Sequence, residues 1–190
     1  MNLKTTLLAT LLPLSLMACQ SNDARTSTAA AKLTPAQKTT EQTVIVNAVS
    51  AQGIGQSIGQ IKLSDSPQGL RIETDLKALS PGFHGFHIHQ TGNCAPAEKD
   101  GKAVAALSAG GHFNPTNVAH GTPNDGHLGD LPVLNVDHQG VAKTTVIAPR
   151  LSLAQLQGLA IMVHAGGDNY ADQPQPLGGG GERIACGVIR

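Results

Sequence analysis

Gly85-Phe86-His87-Ile88-His89 places two histidines one residue apart. In an extended strand, residues two apart project to one face, so the two imidazoles stand side by side. Two cationic rings at that spacing repel. Two neutral rings sharing a metal ion do not, and imidazole suits copper and zinc. Further along come His112, His120 and His127, then Asp130. Three imidazoles and a carboxylate complete the closed tetrahedral set that structural zinc prefers. His164 ends an apolar run and is able to join the strand pair, giving a copper site of imidazoles alone. One histidine taken singly is ordinarily a surface or satisfied core residue; the weight here lies in the set. His84 and His138 are read as ordinary, His138 because it falls in an expected turn, where polar residues are usual. The pattern around His84 does not exclude a role.

These side chains need strands and loops to position them. Thr43–Val49, Ser57–Leu63, Phe83–His89, Leu159–His164 and Arg183–Ile189 have strand character. Gly69–Leu76 alternates, with Leu70, Ile72, Thr74 and Leu76 on one face and Arg71, Glu73 and Asp75 on the other, the pattern of a half-buried strand. Leu131–Val136 and Val141–Ile147 read as a hairpin around Asp137-His138-Gln139-Gly140. Leu151–Leu156 suits a short helical turn. Two long stretches, Gln90–Gly129 and Ala165–Gly181, lack strand pattern, and ordered loops of that length inside a domain are usually functional. Seven or eight short strands with little helix predict an all-β sandwich or barrel.

Composition narrows the function. The 190 residues carry 13 basic and 13 acidic side chains, so the basic excess of a nucleic-acid binder is missing. With three Phe, one Tyr and no Trp, the core must be aliphatic. Lys4 and the apolar run Leu7–Leu16 read as an export signal, too short to span a bilayer as a mature helix. Leu16-Met17-Ala18-Cys19 resembles a bacterial lipobox, in which the signal is cut before a cysteine that then takes lipid; the plainer alternative is ordinary cleavage at or soon after Ala18. Acyl chains on Cys19 would hold the protein at a membrane surface. Residues 20–42 are rich in Ser, Thr, Ala and Gln and suit a flexible tether. The expected division is a signal peptide over 1–18, a lipidated cysteine and linker over 19–42, and one domain over 43–190.

Setting Cys19 aside leaves Cys94 and Cys186. In an exported chain such a pair is expected to join as a disulfide, worth about 4–5 kcal/mol by loop entropy. The alternative is two free buried thiols.

The motifs Gly85–His89, Gly110-Gly111-His112-Phe113-Asn114-Pro115 and Arg183-Ile184-Ala185-Cys186-Gly187-Val188-Ile189 resemble copper/zinc superoxide dismutase, over about Thr43 to Arg190. His164-Ala165-Gly166-Gly167-Asp168-Asn169 and Pro176–Gly181 are similar to its bacterial, exported branch. The resemblance implies a Greek-key β-barrel or immunoglobulin-like sandwich of about eight antiparallel strands with two long functional loops. It implies one copper per subunit on His87, His89, His112 and His164, and one zinc on His112, His120, His127 and Asp130, with His112 bridging. It matches Asp168 to a carboxylate linking a copper ligand to a zinc ligand, Cys94 and Cys186 to the family disulfide, and Arg183 to the guanidinium beside the copper. Superoxide is the implied substrate, with His112 and Arg183 the catalytic pair, in the periplasm or cell envelope. A homodimer is possible, and its surface is not specified. Two features depart from the animal-type pattern: the His120–His127 segment is shorter, and charged steering residues are not apparent in Ala165–Gly181. The competing reading is a non-catalytic envelope copper- and zinc-binding module, which has no need of Arg183. A structural lipoprotein leaves the ligand set unexplained.

Overall fold

The computed structural model describes residues 40–190; the expected signal peptide, Cys19 and all but the end of the tether lie outside them. The domain is antiparallel β throughout. β1 (Glu41–Ser50), β2 (Gly53–Ser66) and β3 (Gly69–Leu76) form a meander. β4 (Gly82–His84) and β5 (Phe86–His89) follow, then a small hairpin of β6 (Ala97–Lys99) and β7 (Lys102–Val104). β8 (Leu134–Val136), β9 (Ala142–Ala148), β10 (Ala160–His164) and β11 (Arg183–Val188) complete the set. The main sheet runs β5-β10-β11-β1-β2-β3-β9, and β4 pairs with β8 apart from it.

The interrupted strands explain the count. β4 and β5 are one run broken at Gly85, and residues 129–136 pair along both halves: His84 opposite Leu134, His87 opposite Asp130. Counted as single strands, β4–β5 and 129–136 bring the barrel to the expected eight. The expected continuous strand over Phe83–His89 is corrected by this break. So is the expected hairpin: β8 pairs with β4 and β9 with β3. Asp137 and Val141 still close a tight turn, Asp137 N donating to Val141 O at 2.9 Å. The two strands are present as expected, but each is paired with a distant partner.

Leu70, Ile72, Thr74 and Leu76 of β3 all face inward, as their alternation predicts. They join Val44, Val46, Ile61, Leu63, Phe86 and Ile88 in the barrel core. Each such side chain contributes about 1.5–3 kcal/mol by leaving water, so an aliphatic core suffices despite the shortage of aromatics. Gly59 (φ 139°) sits next to the β1–β2 bulge, where a Cβ would overlap the carbonyl oxygen of Asp75. Only glycine combines that backbone with that approach. The 3₁₀ turn at Leu153–Gln155 fulfils the expected helical turn, and its capping box is Ser152 with Gln155.

Candidate metal centre

Alternation along β5 decides where the histidines go. Phe86 and Ile88 point into the barrel core, so His87 and His89 lie on the outer face. β10 repeats the division, with Ile161 and Val163 in the core and Ala160, Met162 and His164 turned away from it. An outer face would normally be wet. Here it is covered, and His87, His89 and His164 are buried. The cover is laid down by main-chain pairing: His112 bridges His89, Phe113 N donates to Ile88 O at 2.8 Å, and Ile88 N donates to Gly129 O at 2.8 Å.

Hydrogen bonds then orient each ring. Carbonyls and carboxylates only accept, so the imidazole nitrogen facing one carries the proton. His87 Nε2 donates to Asp168 Oδ2 (2.7 Å), and His89 Nδ1 donates to Gly110 O (2.9 Å). His164 Nδ1 donates to Gly181 O (3.2 Å). His120 Nε2 donates to Asp168 Oδ1 (2.9 Å). His87, His89 and His164 are each left with one unshared pair. Those of His89 Nε2 and His164 Nε2 stand 3.3 Å apart, and His87 Nδ1 is buried with no hydrogen-bond partner. One donor atom from each of His87, His89, His112 and His164 falls within 4.8 Å of every other.

The second set adjoins the first through His112. His112 Nδ1 is 3.0 Å and His127 Nδ1 3.2 Å from Asp130 Oδ1, while His120 Nδ1 is 3.0 Å from Asp130 Oδ2. The His120 nitrogen makes no aligned hydrogen bond despite that distance. His112 Nδ1 and His127 Nδ1 are 3.4 Å apart. A tetrahedral zinc with ligands at about 2.0–2.1 Å has ligand–ligand edges of about 3.3–3.4 Å. The donor set therefore fits such an ion, and the buried His87 Nδ1 supplies a lone pair that no protein group among the described residues uses.

Charge favours cation binding. Burial, the largest cause, holds His112 down to about 4 and His164 down to about 3, and lowers His87 and His89 as well. These rings offer neutral lone pairs at ordinary pH. Burial alone would raise Asp130, but the hydrogen bond from His112 and the close approach of the His120 ring outweigh it and hold the carboxylate well below its usual range. Asp168 is lowered in the same way by His120 and His87. Burial would also lower His120, yet its contacts with both carboxylates raise it to about 9, so without a metal this ring holds protons on both nitrogens, and a zinc ion would displace the one on Nδ1.

Asp168 joins the two sets, with no solvent exposure of its side chain, and Tyr170 N steadies its Oδ1 at 2.7 Å. Gly178 (φ 70°) packs against this link; a Cβ there would overlap Asp168 Oδ1. Arg183, opposite His164 in the β10–β11 ladder, donates to Ala106 O and Gly110 O, each at 2.6 Å. Gly110 O is the same carbonyl that holds His89. Cys94 and Cys186 form a disulfide across 92 residues, tying the loop after β5 to the strand that carries Arg183.

Sequence reasoning passed over one contributor, and its reading of His84 and His138 as ordinary holds. Gly178 has no sequence signature distinct from its neighbouring glycines. His84 is buried, with Nδ1 2.6 Å from His164 O and Nε2 2.8 Å from Ser80 O, which makes it a satisfied core residue touching the end of β10. His138 lies exposed in its turn.

A closed antiparallel barrel carrying two adjoining sets of buried imidazole and carboxylate donors has the form of an all-β protein that holds a pair of metal ions. The model of the copper/zinc superoxide dismutase family matches residues 57–189. The Cu-Zn superoxide dismutase of Escherichia coli K12 is 57% identical over 160 residues, covering 83% of this chain and 92% of that protein. Among solved structures, the Cu/Zn superoxide dismutase from Brucella abortus has a TM-score of 0.78 at 48% identity, covering 80% of this chain and 100% of that one. The monomeric copper, zinc superoxide dismutase from Salmonella enterica has a TM-score of 0.72 at 55% identity, with 80% and 100% coverage. The chain belongs to the copper/zinc superoxide dismutase family.

Proposed function

We propose that this protein converts two superoxide anions and two protons into dioxygen and hydrogen peroxide, with copper on His87, His89, His112 and His164 and zinc on His112, His120, His127 and Asp130. The observation that carries the reading is the convergence of unshared nitrogen pairs, above all His89 Nε2 and His164 Nε2 at 3.3 Å, with the opposite ring nitrogen of each committed to a carbonyl. Bound copper supplies reversible one-electron exchange, oxidising one superoxide and reducing the next, whereas zinc supplies no redox chemistry. His112 serves both sets through its two nitrogens. Asp168 keeps the Nε2 protons of His87 and His120 in place, which directs both Nδ1 atoms inward. Arg183 remains cationic although burial lowers its pKa, and it offers a fixed charge to an approaching anion beside His89 and His164. Residues 165–181 contain no Lys or Arg, so Arg183 is the cation that the second loop leaves next to the copper set.

The same reading places the domain outside the cytoplasm. A disulfide persists in oxidising compartments, in keeping with an export signal over 1–18. Lipid on Cys19 and a linker to about residue 42 would tether the 43–190 domain to an envelope membrane.

The test is superoxide removal by the full chain loaded with copper and zinc, measured beside metal content. Fast turnover at near one copper and one zinc per chain, lost in His87→Ala, is expected. Full occupancy without turnover would sink the enzyme and favour a metal-holding module.

A further inference from the structure

Arg150 follows β9, half-buried, at the edge of the barrel. All of its hydrogen bonds run to main-chain carbonyls of one segment. Nε donates to Pro123 O at 2.9 Å, and Nη2 donates to Gly126 O at 2.7 Å and His127 O at 2.8 Å. That segment delivers His120 and His127. It is short and tightly folded: Thr122 N and Oγ1 donate to Asp125 Oδ1 at 2.9 and 2.6 Å, and Gly126 N donates to Thr122 O at 2.8 Å. A Cβ on Gly126 would overlap Gly121 N, so the two ends of the turn pack backbone against backbone.

We propose that Arg150 is a positioning residue for zinc, holding the 121–127 turn against the barrel so that His120 and His127 meet Asp130 before the ion arrives. The inference rests on the zinc assignment made above. A guanidinium is suited to the task because its donors form a rigid, permanently charged fork. Asp130 grips the turn from within, through Gly121 N at 3.1 Å and His127 N at 2.8 Å. Arg150 grips it from without, at the carbonyl of His127 itself. Removing the outer grip leaves three carbonyls to find water and frees the turn to exchange conformations. The copper set does not share this dependence, because His87, His89 and His164 stand on β5 and β10 and His112 on the segment bridged to β5, and Arg150 bonds to none of these.

The experiment uses the full chain, unmutated and as Arg150→Met and Arg150→Lys, each stripped of metal. Zinc affinity is measured by competition with a chromophoric chelator, and the geometry of the zinc site by the visible spectrum of bound cobalt(II). Copper(II) binding and thermal unfolding of the metal-free chains are measured in parallel. Loss of an outer partner of a metal ligand typically costs about 10–100-fold in affinity. Arg150→Met is expected to lose zinc affinity by that factor and to show an altered cobalt spectrum, with copper binding and metal-free unfolding unchanged. Arg150→Lys, a point charge without the fork, is expected to recover only part of the affinity. Wild-type zinc affinity and cobalt spectrum in Arg150→Met would overturn the proposal. So would loss of both metals in step with a less stable metal-free fold, which would make Arg150 a general strut, or full recovery in Arg150→Lys. Failure of the unmutated chain to bind zinc would overturn the zinc assignment instead, and is read separately from the variants.

Discussion

The imidazoles of His87 and His112 lie face to face, 3.9 Å between centroids and 22° between ring planes. They arrive from different elements, β5 and the loop bridged to it, yet stack closely enough that two positive charges there would repel strongly. Only neutral rings, or rings sharing a cation, fit this arrangement. His112 belongs to both donor sets, and His87 to the one proposed to hold copper. His112→Ala is therefore expected to weaken both metals, and His87→Ala to lose copper while keeping zinc. Metal analysis of the two purified variants checks this; equal loss of both metals in each would contradict the division.

Asp168 reaches one ring of each set at 2.7 and 2.9 Å. Asp168→Asn keeps the shape but replaces one accepting oxygen by an N–H donor, so one imidazole N–H loses its partner. Zinc affinity is expected to fall by about 10–100-fold, more than copper affinity, because His120 is carried by a turn and His87 by a paired strand. Unchanged zinc competition in the variant would count against Asp168 as the link.

Arg183→Met removes the fixed cation without touching a ligand. Turnover is expected to drop by roughly 10-fold or more, the scale at which charge steers small anions, with copper and zinc content intact. The salt dependence of the rate should flatten, since screening then has less attraction to weaken. A variant with wild-type rate at low salt would remove Arg183 from the reaction.

The Cys94–Cys186 bond closes a loop of 92 residues that contains every residue of the two donor sets except His87 and His89. Cys94→Ser with Cys186→Ser is expected to cost about 4–5 kcal/mol of stability by loop entropy, read from urea unfolding of the metal-free protein. The loss should be visible in the carbonyls of Ala106 and Gly110 as well, because Arg183 sits three residues from Cys186 and holds both. Faster amide exchange around residues 106–110 is the observation that checks it.

Cys19→Ser tests the proposed anchor, since it removes the acylated thiol. The variant is expected in the soluble envelope fraction, and the unmutated protein in the membrane fraction. The same distribution for both would favour ordinary cleavage near Ala18.

Much of this protein is written locally. The one-residue spacing of His87 and His89 is enough to put both rings on one strand face, because strand geometry has a period of two whatever the fold. The same period marked Leu70, Ile72, Thr74 and Leu76 as the buried face of β3, and the turn residues Asp137–Gly140 marked β8 and β9 as strands on either side. It did not say which strands pair. The apparent hairpin at Asp137–Gly140 is a turn between strands with distant partners, and Gly85 breaks a run that looked continuous. Pairing is decided by which edges remain open once the barrel closes, and that is a property of the whole chain. Burial of His87 and His89 on the outer face, beneath loops arriving from residues 90–129 and 165–182, also has no local signal. Arg150 is the clearest case. An arginine that bonds only to carbonyls depends on backbone positions 23 to 27 residues away, and every residue type carries the same carbonyl. The donors' identities come from side chains, which a sequence spells out; their convergence comes from main-chain hydrogen bonds and packing, which only the folded structure supplies.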